Sequence, residues 1–440
     1  MIVIIGGSFA GVQAALEIRK RKPYKDIVIY EKKDHLGYVP NGINVFLKRQ
    51  IDRLEDAIRF NEKDLKDNYI DVHLNTECTA INSWDKTVMI KEDGQEKIVS
   101  YDKLIIAIGS TQPQYLIEKE KKFVYQTKEL NDARRTVEKL QDAESVAILG
   151  GGIIGIELAA SLHVYNPKLK IIVLEKFDNL LEMAVDNEIT ERIIEKLNQK
   201  EIKFLTAIDF ERVEETEEKI KIVTNQGEFE TDMLIKAPNL EPNHQFLAQS
   251  IDLDIDGTGI VSPQFQASED IYVLGDMLRL ELLPIEERLY MSLVNNAVRS
   301  AIVAANHIAA KKELVFQSTK TNVFTICELT VARSGAQQRD ERFSRYPIDK
   351  FSGVYHVYLE DNRRVPVYLI MFVYPHSKEV IGLQAIAEAN ISHLANLFSL
   401  VVRGKLRAEE LAVHDFFFHA DYPSDVMHCL NNIAADYLSK

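Results

Sequence analysis

Residues 145–157 read Ser-Val-Ala-Ile-Leu-Gly-Gly-Gly-Ile-Ile-Gly-Ile-Glu, and residues 170–174, Lys-Ile-Ile-Val-Leu, run directly into Glu175 and Lys176. An apolar run of strand length, a glycine cluster, a helical stretch to about residue 163 and a second apolar run make a strand–turn–helix–strand unit. Gly150, Gly152 and Gly155 fit G-x-G-x-x-G, and Glu175 follows twenty residues after Gly155 at a strand end. A dinucleotide site needs these residue types at this spacing. The glycines allow a tight turn and close helix packing, the helix N-terminus faces a pyrophosphate, and the carboxylate accepts from a ribose hydroxyl. An acid there favours a free 2′-hydroxyl, so NADH is expected over NADPH, a preference that Lys176 weakens.

The same order occurs at the N-terminus: 2–5 (Ile-Val-Ile-Ile), a glycine turn, a helical pattern over 12–22 and a strand at 27–30. Its turn reads Gly6-Gly7-Ser8-Phe9-Ala10-Gly11, with Glu31 and Lys32 at the second strand's end, twenty residues after Gly11. Ser8 stands where the middle glycine is usual and leaves less room for a pyrophosphate. A glycine turn alone is shared with ordinary α/β connections; its placement and Glu31 select a nucleotide site. Two dinucleotide units imply two dinucleotides, and the economical pair is a tightly held FAD with a nicotinamide that reduces it.

Further apolar runs at 103–108 and 232–237 read as strands, each preceded by a β-meander. Glu-rich 211–219 reads as a solvated turn between meander strands. The run 271–274 ends at Gly275-Asp276, where the aspartate would stand beside a ribityl chain or the flavin pyrophosphate, and an amphipathic helix is expected from about 288 to 310. From about 320 the pattern changes to alternating strands, clearest at 353–359 and 366–374. A helix at 386–403 and a C-terminal helix at 424–437 complete a separate α+β domain.

The chain has 440 residues with 53 basic and 67 acidic side chains, a net charge of −14, which argues against a nucleic-acid binder. Cys78, Cys327 and Cys429 are too far apart for a Cys-x-x-Cys, a zinc cluster or a disulfide framework, and no metal site is expected. The apolar stretches 1–18 and 145–165 are broken by glycines, the second also by Glu157, so neither reads as a signal or a membrane span. A reducing, cytoplasmic setting is the expectation.

With Gly6–Gly11 and Glu31-Lys32, the segment Tyr101–Ser110, Gly150–Glu157, Gly275-Asp276 and Leu329-Thr330-Val331-Ala332, the chain resembles the pyridine nucleotide-disulfide oxidoreductase superfamily. Within it, the likeness is to the branch of NADH oxidase, NADH peroxidase and coenzyme A-disulfide reductase, and it covers essentially the whole length. The resemblance implies an α/β fold of two Rossmann-like domains and a C-terminal α+β dimerisation domain. It implies FAD on residues 1–112 and 243–315, NAD(P)H on 113–242, and a homodimer through 320–440. FAD contacts are then expected at Gly6, Ser8, Phe9, Ala10, Gly11, Glu31, Lys32, Asn41, Ala107, Gly109, Gly275 and Asp276. NADH contacts are expected at Gly150, Gly152, Ile153, Ile154, Gly155, Glu157 and Glu175.

The pattern breaks at its chemical positions. Similar proteins carry a redox-active cysteine within the segment that here reads Gly37-Tyr38-Val39-Pro40-Asn41-Gly42-Ile43, and Asn41 holds its place. Asparagine forms no thiolate, sulfenic acid or mixed disulfide. Phe9 stands where peroxidase-like members place a histidine, and Ile153 where an aromatic gate covers the nicotinamide side. Ile108 replaces a common threonine, and Pro238-Asn239 replaces a glycine. His419, in the part of the last domain that in similar proteins reaches the partner's active site, is a candidate proton donor. Tyr422 resembles a coenzyme A contact, and Arg19–Lys22 with Lys48-Arg49 are basic runs of the kind that take its phosphates or simply face solvent.

The expected function is an FAD-dependent NAD(P)H oxidoreductase in which reduced flavin discharges directly onto a small-molecule acceptor, dioxygen giving peroxide first. An FAD-holding homodimer without turnover, acting as a nucleotide or coenzyme A sensor, is the alternative from another class. A reductase using a cysteine from elsewhere is disfavoured by the placement of the three cysteines.

Overall fold

The computed structural model describes residues 1–113, 117, 121–359, 361–419 and 426–440. Its first sheet runs Gln266–Ser268, Ile271–Val273, Lys103–Ile106, Ile2–Ile5, Ile27–Tyr30, Asp71–His73 in spatial order, parallel except for the first pairing. Its central strand Ile2–Ile5 is buried on both faces, as a parallel strand covered by helices must be. The helix Phe9–Arg21 packs on it and against Val294–Ile308, which returns to this unit late in the chain.

A second, all-parallel sheet runs Val124–Tyr125, Met233–Lys236, Ser145–Leu149, Lys170–Leu174, Lys203–Leu205. Each Rossmann unit carries an antiparallel three-stranded meander, 76–100 in the first and 210–231 in the second. The third sheet is antiparallel, in the order Asn322–Ile326, Leu329–Gly335, Val380–Ala387, Arg364–Val373, Asp349–Tyr358. One face packs on the helices Ser392–Arg403 and Cys429–Leu438 over its own core, and the other faces the nucleotide-binding units.

Four expectations change. The helix expected from 288 starts at Val294, because Glu287–Tyr290 pairs with Arg279–Leu282 as a hairpin. Residues 386–387 end the strand Val380–Ala387, and the helix begins at Ser392. That strand is buried along its whole length between two layers, so it lacks the alternation that marks a half-exposed strand. Glu211–Glu215 is mostly strand, paired with Ile220–Thr224, and only 216–219 turns. The C-terminal helix spans Cys429–Leu438, while positions 424 and 425 lie outside the described residues, as does Tyr422. Among the described residues no helix is long and apolar enough to cross a membrane.

Candidate nucleotide and redox site

The two glycine turns are built alike. Gly6 and Gly150 take φ values of 104° and 117°, in the left-handed region glycine tolerates. A Cβ on either would strike a carbonyl of the neighbouring strand, Ala107 or Ala237, and a Cβ on Gly11 or Gly155 would run into the carbonyl oxygen of Gly6 or Gly150. Helix and strand therefore approach at backbone contact in both units. Glu31 Oε2 accepts from Gly7 N at 2.6 Å and Oε1 from Lys33 N at 3.0 Å. Glu175 repeats this with Gly151 N at 2.6 Å and Phe177 N at 2.9 Å. Each carboxylate thus fixes its own turn before any ligand arrives, and sits where a ribose would meet it.

Both helices begin without a side-chain cap, Ser8 and Gly152 being their N-cap residues. Their first N–H groups are donors in need of acceptors, the arrangement that receives a pyrophosphate. A Cβ on Gly152 or Gly109 would meet no protein atom within 4 Å, so these glycines border open space. That space is one cavity of about 1820 Å³, larger than the roughly 300–1,000 Å³ of a single-ligand pocket. The residues present fit two dinucleotides.

Gly6, Ser8, Phe9, Ala10, Glu31, Lys32, Asn41, Ala107, Gly109, Gly150, Gly152, Ile153, Ile154, Glu157, Glu175, Gly275 and Asp276 all line this cavity. Gly11 and Gly155 sit behind it as packing positions. His419 is exposed on the last domain and does not line the cavity of its own chain.

Asp276 Oδ2 accepts from Ser110 Oγ at 2.7 Å and Ser292 Oγ at 2.5 Å, and Lys128 Nζ donates to Ser110 Oγ at 2.7 Å. Burial pulls the Lys128 ammonium down to about 8, against the raising influence of Asp276 and Glu129. Lys128 and Ser110 were not identified from the sequence, where a single lysine before a helix carries no pattern. A cation beside Asp276 on the cavity wall suits an anionic cofactor segment.

Glu157 is buried, and burial raises its carboxyl above the ordinary range. Its Oε2 accepts from Asn41 Nδ2 at 3.0 Å and its Oε1 from Thr325 N at 3.0 Å. Lys48 Nζ, on the helix after Asn41, donates to Thr325 Oγ1 at 3.1 Å. Residues from the first Rossmann unit, the second and the last domain meet here. One N–H of the Asn41 amide is thus engaged by Glu157.

Two Rossmann units opening onto one cavity, with an aspartate at the end of the late first-sheet strand, define a flavin-dependent NAD(P)H oxidoreductase. Residues 1–301 match the family model described as pyridine nucleotide-disulphide oxidoreductase, and the chain belongs to that family. It is 26% identical to an NADH oxidase of Enterococcus faecalis over 453 residues, 99% of each chain. It is 29% identical to an NAD(P)H sulfur oxidoreductase (CoA-dependent) of Pyrococcus abyssi, over 79% of this chain and 78% of that one. The fold matches a water-forming NADH oxidase from Lactobacillus brevis bound to NADH at a TM-score of 0.93, with 20% identity, covering 100% of this chain and 98% of that one.

Gly152→Ala is expected to keep the thermal midpoint within a degree or two while weakening NADH binding at least tenfold, since the new methyl meets only ligand space; Gly155→Ala should lower the midpoint outright. Asn41→Ala leaves one oxygen of a buried carboxyl unpaired and should destabilise by about 1–3 kcal/mol in chemical denaturation. Asn41→Asp places a second carboxyl there, so the pair's folded-state pKa rises. The loss should then grow as pH climbs above the unfolded value near 4 and shrink as pH falls toward it.

Proposed function

We propose that the protein oxidises NADH and passes the electrons, without a protein thiol, directly to a small-molecule acceptor, of which dioxygen is the first candidate. The balance is NADH + H⁺ + O₂ giving NAD⁺ + H₂O₂. FAD, when bound, supplies the chemistry that links the two half-reactions. The reading is supported by Asn41, which the family resemblance sets at the redox cysteine's position and whose amide donates to Glu157. The remaining cysteines offer no substitute, since Cys78 and Cys429 are buried and burial raises the Cys78 and Cys327 thiols.

The assigned residues divide into three tasks. Gly6, Ser8, Phe9, Ala10, Gly11, Glu31, Lys32, Ala107, Gly109, Gly275 and Asp276, joined by Lys128, hold FAD on residues 1–112 and 243–315. Gly150, Gly152, Ile153, Ile154, Gly155 and Glu175 hold NADH on 113–242, with NADPH disfavoured by Glu175. Asn41 and Glu157 close the far side of the flavin site and keep a protonatable carboxyl beside it.

The chain would act as a cytoplasmic homodimer through residues 320–440. Support comes from exposed Leu400, Val413, Phe417, Phe418 and Val426 on that domain, an apolar display that favours a partner. His419 lies next to Phe418, and in such a dimer it could serve the partner's site. Coenzyme A is a further ligand to examine, because one relative is named CoA-dependent.

Anaerobic titration of the flavin-loaded protein with NADH tests the reading. The flavin band should bleach after one equivalent, and air should then return it with one peroxide per NADH. Absence of bleaching would favour the FAD-holding homodimer without turnover. Asn41→Cys should add a charge-transfer band or raise electron uptake above one NADH; no change in either would remove residue 41 from the position assigned to it.

A further inference from the structure

Arg333 and Lys320 lie away from both glycine turns, yet both line the cavity at its border with the last domain. Arg333 is paired in register with Asn322 on one side and Gln384 on the other. It is only 3% exposed, and its Nε and Nη2, the two donors along one edge of the guanidinium, are buried without a hydrogen-bond partner. Among the described residues, neither Arg333 nor Lys320 has a carboxylate within 4.0 Å of its side-chain nitrogens.

The nearby acids hydrogen-bond elsewhere and act on the two cations only from beyond contact distance. Asp186 Oδ2 accepts from Gln384 Nε2 at 2.7 Å, and Asp340 Oδ2 from Gln337 N at 3.1 Å. Burial and the Arg333 charge pull the Lys320 ammonium down to about 8 against the raising influence of Asp340, and burial lowers Arg333 against that of Asp340 and Asp186. A buried cation with no carboxylate in contact is costly to a fold, and a guanidinium edge with two parallel donors matches the oxygens of one oxyanion.

We propose that Lys320 and Arg333 form a phosphate-binding subsite where the last domain's sheet borders the nucleotide cavity. Two cations with no carboxylate at contact distance favour a dianion, so the ligand group is a phosphate, borne either by the nucleotide itself or by a separate small molecule. The subsite stands independently of the acceptor reading above, since it rests on the protein's charge arrangement alone.

Calorimetric titration of the flavin-loaded protein with inorganic phosphate in phosphate-free buffer tests it. Saturable binding of one phosphate per chain is expected, weakened at least tenfold in Lys320→Gln and lost in Arg333→Met. Arg333→Met should also raise the thermal midpoint of the phosphate-free protein, because it replaces an unpaired buried charge with apolar volume; a merely structural arginine would lower it. Repeating the titration with saturating NAD⁺ separates the sources: competition assigns the phosphate to the nucleotide, and simultaneous binding assigns it to a second ligand. The proposal fails if no saturable uptake occurs, or if both variants bind phosphate as the parent does. Should Arg333→Met not fold, Lys320→Gln, at a side chain less deeply buried, decides alone.

Discussion

A buried carboxylate at Glu157 is the constraint around which the cavity is arranged. An ionisable group so deep in the protein is tolerated only with donors on its oxygens. Neither donor comes from its own helix: one is the Asn41 side chain, the other the backbone of Thr325. Meeting that demand draws the short helix Gly42–Leu47 against Ile153–Tyr165 and sets the first strand of the last domain beside both. Segments separated by 116 and 168 residues in sequence are thus held at one wall of the site.

The glycine turns are made by repetition. Each Rossmann unit places a helix N-terminus against its strand at a separation only glycine permits, and each fixes the turn with a carboxylate from the next strand. Because the carboxylate bonds the second glycine's N–H, turn and acid are one device. That explains why motif and acid keep the same spacing in both units, and why Ser8 is accepted in the first. Ser8 is the helix N-cap, outside the close approach, which falls on Gly6 and Gly11.

The parts of the fold legible in the sequence are those imposed by local backbone geometry. Gly150 to Glu175 could be read because the steric rule acts within one strand–turn–helix–strand unit. Val380–Ala387 escaped because burial on both faces erases period-two alternation, and its last residues merge with the helical pattern that follows. Lys128, Lys320 and Arg333 escaped for a different reason. Each is a lone basic residue whose significance lies in what surrounds it after folding: a desolvated ammonium beside Asp276, and a guanidinium edge with no acceptor. No spacing rule encodes such surroundings.

Asn41 shows how a departure from a family pattern is to be weighed. Loss of a thiol with nothing in its place would leave a void or an unpaired carboxyl, the mark of a site released from function. Here the replacement donates to Glu157 and satisfies an oxygen that would otherwise be buried without a partner. Burial raises the Glu157 carboxyl and so favours its protonated form, whereas a thiolate beside it would add a second negative charge. On the proposed assignment of residue 41, the site keeps a carboxyl whose burial favours a proton in place of a group that stores electrons. That exchange is coherent with direct electron transfer to a small acceptor, in which protons must still be delivered although no thiol takes part.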